Sequence, residues 1–186
     1  MKRVFDFTMA FLLLIILFIP MLFIALLVKL TSKGPVLYWS DRVGRNNIIF
    51  KMPKFRTMLI DTPAVATHLL SNPDRYLTPI GKFLRKSSFD ELPQLISVLE
   101  SDMSFVGPRP ALFNQYDLIK LRTRKGVHKL TPGLTGWAQI NGRDELPIPV
   151  KVEFDEYYMK HQSFLLDLKI LWMTLFKVLK KEGINH

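Results

Sequence analysis

The longest apolar stretch comes first. Residues 4–28 are almost wholly hydrophobic, with Lys2 and Arg3 ahead of them and Lys29 behind. As a straight helix at ~1.5 Å per residue, this run would be ~37 Å long, which is membrane length. It is too long for a cleavable leader, and no small-residue cleavage site follows it. A spanning helix is the default for this length. Both flanks are basic, however, so the positive-inside rule assigns no orientation. Pro20 lies inside the run, where it deletes a backbone hydrogen bond and bends a helix. A kinked segment that enters one leaflet and returns accounts for both features, so a re-entrant helix broken at Pro20 is favoured.

Beyond the run the periodicity changes. Residues 36–39 and 48–50 are β-prone and are separated by Gly44-Arg45-Asn46-Asn47, a turn composition that predicts a short β-hairpin. Residues 61–74, broken by Pro63, Asn72 and Pro73, read as a connection holding a short helix. Helices are expected over residues 92–99 and 116–127, the second with a basic face of Lys120, Arg122, Arg124 and Lys125. Apolar residues at 164, 165, 168, 171, 172, 175, 176 and 179 have the spacing of an amphipathic helix. That helix either faces the core or lies at a membrane interface. The fold class expected is α+β, predominantly helical: a re-entrant membrane helix, a short hairpin and interfacial amphipathic helices.

Charge narrows the partners. The chain carries a formal +10 over 186 residues, and residues 1–28 contribute only Lys2, Arg3 and Asp6, so the remainder carries +9. Its partners should be anionic: phosphates, lipid headgroups or nucleic acid. There is no cysteine, which excludes disulfides and thiolate metal sites. The four histidines (His68, His128, His161, His186) lack zinc spacing, and neither a Walker-type loop nor GxGxxG is present.

The candidate chemistry centres on residues 86–95, where Asp90 and Glu91 precede Pro93 and an apolar run. Ser88 followed three residues later by Glu91 has the form of a capping box, and acids in a first turn suit the helix dipole. Pro93 argues for Asp90 rather than Ser88 near the cap, because a proline in the third helical position removes only an orphaned donor. Successive helical residues diverge by ~100°, so the two carboxylates should not converge on one bond. One could attack while the other assists, and capping and catalysis both stay open on the local pattern. Around them stand candidate phosphate ligands: the cluster Lys51, Lys54 and Arg56, then Arg85, and Arg143 after Gly142, each of which could equally be a solvated surface charge. Pro108-Arg109-Pro110 presents an arginine from a rigid loop. The glycine-punctuated loop over residues 131–143 would let backbone approach a ligand closely.

In combination, the proline-broken N-terminus, the basic hairpin, Lys54-Phe55-Arg56-Thr57-Met58, the motif Asp-Glu-Leu-Pro-Gln-Leu at 90–95, Val-Gly-Pro-Arg-Pro at 106–110, the loop over 132–143 and Asp167-Leu168-Lys169 closely resemble the bacterial sugar transferase family. The likeness is to its small monotopic phosphoglycosyl transferases and runs over residues 1–181. It implies transfer of a sugar 1-phosphate from a UDP-sugar to a polyprenol phosphate such as undecaprenyl phosphate, with release of UMP, at the start of glycoconjugate assembly. It further implies residues 1–30 as the re-entrant helix and 31–186 as a catalytic domain on the cytoplasmic face of the bacterial inner membrane, in contact with inner-leaflet lipid. Asp90 and Glu91 would be the catalytic pair, with Asp90 forming a covalent aspartyl-phosphosugar and binding Mg²⁺. Lys54, Arg85 and Arg143 would bind phosphate, and Pro108, Arg109 and Pro110 the uridine end. Asp155 and Asp167 are further carboxylates within possible reach of a metal. Ile19 stands before Pro20 where the family usually has serine, Glu100-Ser101 where Lys-Gly is common, and Asp144 after Arg143 where Asn is frequent. No nucleic-acid partner is expected, and homo-oligomerisation is left open. The competing class is a membrane-anchored basic protein that binds anionic lipid or nucleic acid.

Overall fold

A computed structural model of the chain describes residues 1–63, 72–142 and 146–180. The apolar N-terminal run forms one helix, α1 (Lys2–Thr31), with Pro20 inside it. Its buried and half-buried positions recur at helical spacing. Ala10, Leu13, Leu14 and Leu17 pack into the main core, and Met21, Ile24, Ala25 and Val28 into a second cluster. The other faces, including Phe7, Phe11, Ile15, Ile19 and Phe23, are apolar and exposed. One stripe of α1 therefore lies along the rest of the protein, from residue 10 to residue 28.

Polar side chains tie down the foot of α1. Asp6, almost fully buried, accepts from Ser104 Oγ at 2.8 Å and from the Phe105 amide at 3.2 Å. Arg3 donates to the Val98 carbonyl, and to that of Leu99 at 2.6 Å, adding a charged donor to the carbonyls at a helix end. Lys2 Nζ pairs with Asp167 Oδ2 at 2.7 Å and donates to the Val106 carbonyl at 3.0 Å. Tyr158 donates to the other oxygen of Asp167 at 2.6 Å. The basic residues before the apolar run are thus spent on tertiary contacts, which is one reason the flanking charges gave no orientation.

The hairpin is longer than the sequence suggested. β1 (Leu37–Val43) and β2 (Ile49–Phe55) pair antiparallel through a turn in which Asn46 and Asn47 adopt φ of 56° and 60°. β2 is an edge strand, where Pro53 is tolerated because no ladder bond is demanded of it on that side. Helices α2 (Gly81–Ser87) and α3 (Gln94–Leu99) follow, joined by a 3-10 turn over Phe89–Glu91. Next come β3 (Ser104–Val106), β4 (Ala111–Leu112), α4 (Tyr116–Arg124), β5 (Gly133–Thr135), α5 (Trp137–Asn141), α6 (Ile148–His161) and α7 (Phe164–Lys180). β4 extends the hairpin to a three-stranded sheet in the order β2-β1-β4, and β3 pairs in parallel with β5. The α+β, mostly helical class is as expected. The small parallel pair is not something the sequence pattern announced.

α7 corrects one alternative. Ile170, Leu166, Leu171 and Met173 pack on the core with Asp167 buried beside them, whereas Phe164, Leu165, Leu168, Trp172, Leu175 and Phe176 are exposed. Among the described members of the apolar stripe only Leu171 turns to the core, so most of the stripe is the outer face of this helix rather than its buried one. The expected helix in residues 61–74 falls largely outside the described residues, and what is seen is a 3-10 turn at Pro73–Tyr76.

Candidate active site

Asp90 and Glu91 sit in the 3-10 turn between α2 and α3, not at an α-helical N-cap. Ser88, with φ 59° and ψ 17°, makes no side-chain capping bond. The capping box is therefore not formed. A left-handed serine is an uncommon, strained conformation. Here it ends α2 and turns the chain so that Asp90 points inward, only 8% exposed.

Glu91 is held by cations rather than by backbone. Its Oε1 accepts from Lys54 Nζ and from Arg109 Nη2, both at 2.7 Å, and Lys54 Nζ also lies 4.0 Å from Asp90 Oδ2. Lys54 arrives from the end of β2, Arg109 from the loop after β3, and the two acids from the α2–α3 turn. The two carboxyls shift in opposite directions. Burial pushes Asp90 up to about 6, with Glu91 adding to the rise, while Lys54, Arg85 and Arg109 pull against it. Burial would also raise Glu91, but Arg109 and Lys54 together outweigh it and hold that carboxyl well below its usual range. The shifts leave Asp90 the more basic of the two carboxylates. Two carboxylates against Lys54, Arg85 and Arg109 leave the cluster net cationic, as suits a diphosphate.

The sequence-predicted residues separate as follows. Lys54, Asp90, Glu91 and Arg109 come together, and Arg85 is close enough to influence Asp90. Arg143 lies outside the described residues. The cluster Lys51, Lys54, Arg56 is split three ways. Lys51 makes an exposed cross-strand pair with Asp41 at 3.0 Å, and the buried Arg56 donates to the carbonyls of Pro35 (2.7 Å) and Ser32 (3.2 Å), bracing the exit from α1. Asp167 is committed to Lys2 and Tyr158, and Asp155 to Arg122 at 2.9 and 2.7 Å, so neither stands ready for a metal. Burial raises Asp155, against the pull of Arg122.

Pro108 and Pro110 are buried beside Arg109, and two glycines of the glycine-punctuated loop let backbone meet backbone. A Cβ on Gly133 would lie 2.1 Å from the Gly107 amide nitrogen, and one on Gly136 2.1 Å from the Gly107 carbonyl oxygen. Close backbone approach here fixes the base of the Pro-Arg-Pro loop.

Among the described residues, no group of three or more acidic or histidine side chains could cage a metal. Mg²⁺ needs no such cage, since one or two carboxylates plus substrate phosphates suffice. Asp90 fits that donor set. Glu91, whose Oε1 already takes two cations, fits it poorly.

The chain belongs to the bacterial sugar transferase family, whose model matches residues 1–181. It is 44% identical to the uncharacterized sugar transferase EpsL of Bacillus subtilis, over 100% of this chain and 91% of that protein. It is 42% identical to the UDP-glucose:undecaprenyl-phosphate glucose-1-phosphate transferase of Escherichia coli, over 95% of this chain, and 36% identical to the undecaprenyl-phosphate galactose phosphotransferase of Salmonella typhimurium, over 98%. The matched region is only 40% and 41% of those two longer proteins.

Proposed function

We propose that this protein transfers a sugar 1-phosphate from a UDP-sugar to undecaprenyl phosphate, releasing UMP. The observation that carries this reading is the pairing of a buried, basic Asp90 with a Glu91 whose charge is committed to Lys54 and Arg109. The Escherichia coli and Salmonella relatives, named for glucose and galactose transfer to undecaprenyl phosphate, support the acceptor and leave the sugar of this chain open.

In the first step an oxygen of Asp90 attacks the β-phosphorus, the bond from that phosphorus to the bridging oxygen breaks, and UMP leaves with the electron pair. The phosphosugar is then held as an acyl phosphate. In the second step a phosphate oxygen of undecaprenyl phosphate attacks the same phosphorus and frees Asp90, giving undecaprenyl diphosphate-sugar. Dividing the transfer in two is ordinary covalent catalysis. Lys54, Arg85 and Arg109 offset the repulsion between a carboxylate and a diphosphate. Glu91, held well below the usual carboxylate range by Arg109 and Lys54, orders these two cations. Mg²⁺, when bound by Asp90 with substrate phosphate oxygens, would supply further charge neutralisation. The rigid Pro-Arg-Pro loop is assigned to the uridine end.

The membrane placement belongs to the same proposal. α1 is long and apolar enough to cross a bilayer by length and composition. Its packing along the domain from Ala10 to Val28 supports entry into one leaflet instead. The exposed face of α7, with Phe164, Leu165, Trp172 and Phe176, supports an interfacial seat that brings the site to the lipid phosphate on the cytoplasmic face. The test is nucleotide release from purified protein with undecaprenyl phosphate, Mg²⁺ and a panel of UDP-sugars. Lipid-dependent UMP from at least one sugar, lost in Asp90→Asn, is expected; release of UDP would reject the reading.

A further inference from the structure

The loop that delivers Arg109 to Glu91 has an anchoring problem. Two of its three residues are prolines without an N–H, so it can be tied to its surroundings largely through carbonyl oxygens. Each of the three carbonyls has a donor from a different element. The Pro108 oxygen accepts from the Gly133 amide at 3.0 Å, the Arg109 oxygen from Arg122 Nη1 at 2.8 Å, and the Pro110 oxygen from Arg42 Nη1 at 3.1 Å. Of the two arginines Arg122 is the buried one, 8% exposed, and its Nε and Nη2 are both engaged by Asp155, itself 1% exposed. A guanidinium is suited to this task because its donors form a planar fork: one edge is fixed on a carboxylate while Nη1 is aimed elsewhere.

We infer that Arg122, oriented by Asp155, is a positioning residue for the transfer reaction: by gripping the main-chain oxygen of Arg109 it sets the Arg109 side chain on Glu91. The pair touches neither carboxylate of the dyad. It lies between α4 and α6, and it reaches the site through one peptide group. A buried ion pair used only for stability would not need its third donor spent on the residue that carries the site's arginine. Sub-ångström displacement of such a group lowers turnover without unfolding the protein.

The inference rests on the proposed function, so Asp90→Asn is run beside every variant. The readout is kcat and KM for UMP release in Arg122→Lys, Asp155→Asn, Arg109→Lys and the double variants that carry Arg109→Lys, with a radiolabelled donor so that residual rates are measured. Thermal unfolding is followed in parallel. Arg122→Lys keeps the charge facing Asp155 but replaces the planar fork, which fixes carboxylate and carbonyl at set angles, with a single nitrogen on a flexible stem. We expect kcat/KM to fall about tenfold, and the same change in the Arg109→Lys background to cost less than about twofold, because residues that act through one another are non-additive. Asp155→Asn carries the same test should Arg122→Lys accumulate poorly. Equal fractional losses in both backgrounds, or losses that merely follow the unfolded fraction, overturn the positioning role while leaving the proposed function intact if Asp90→Asn is inactive. UMP release that survives Asp90→Asn overturns both.

Discussion

Lys54 stands between two carboxylates that titrate in opposite directions, and this sets the pH dependence. On the proposed route Asp90 must be ionised to attack, and its carboxyl lies at about 6, raised by burial and restrained most by Lys54. The kcat/KM profile, which reports the free enzyme, should therefore fall as pH drops through about 6. Lys54→Met removes the strongest restraint, so the acid limb should move to higher pH; a limb that stayed put or moved lower would contradict the assignment. A second expectation concerns Gly133. Its missing Cβ would meet the Gly107 nitrogen at 2.1 Å and the Thr135 oxygen at 2.5 Å. Gly133→Ala should cost at least ~2 kcal/mol in denaturation experiments, since backbone atoms cannot step aside as a flexible side chain would. At this scale the sequence was only partly legible. The dyad and Arg109 could be read from their motifs, but the left-handed Ser88 could not, because nothing in its chemistry demands φ of 59°. Arg122 and Asp155 did carry a signal. Arg122 falls four residues after the buried Leu118, and Asp155 between the buried Val152 and Tyr158, so both charges lie on inward helical stripes. Grouping Arg122 into one basic face with Lys120, Arg124 and Lys125 misses that spacing.

Among the elements, α1 and α7 carry the question of where the protein sits. α1 was evident from hydropathy, while its polar foot was not. Lys2, Arg3 and Asp6 look like ordinary flanking charges until their partners on β3, α3 and α7 are known. α7 shows the converse difficulty. Periodicity identifies an apolar stripe but not the neighbour it faces, and the polar Asp167 and Thr174 lie on the inner side. The absence of cysteine from the chain makes topology directly testable. Single cysteines at the exposed Val4, in the first turn of α1, and Lys33, just past its end, report on the two ends of the helix. Re-entry predicts that a membrane-impermeant thiol reagent labels both in inside-out vesicles and neither in intact cells. Labelling of one end from each side would establish a spanning helix.

For the molecule as a whole, the basic body is resolved into distinct uses. Lys2, Arg3 and Arg56 hold α1 in place, Arg42 and Arg122 fix the loop, and Lys54 and Arg109 serve the dyad. A protein that merely bound anionic lipid or nucleic acid would have no use for a buried aspartate pushed up to about 6 beside a glutamate locked by two cations. The central claim is that Asp90 carries the phosphosugar between donor and acceptor. It is tested most directly by incubating the protein with UDP-sugar, Mg²⁺ and labelled UMP in the absence of any lipid acceptor. A covalent intermediate predicts that label enters the UDP-sugar pool without lipid, and that Asp90→Asn abolishes the exchange. No exchange without lipid, in a preparation that transfers normally once undecaprenyl phosphate is added, would contradict the two-step route and require direct attack by the lipid phosphate.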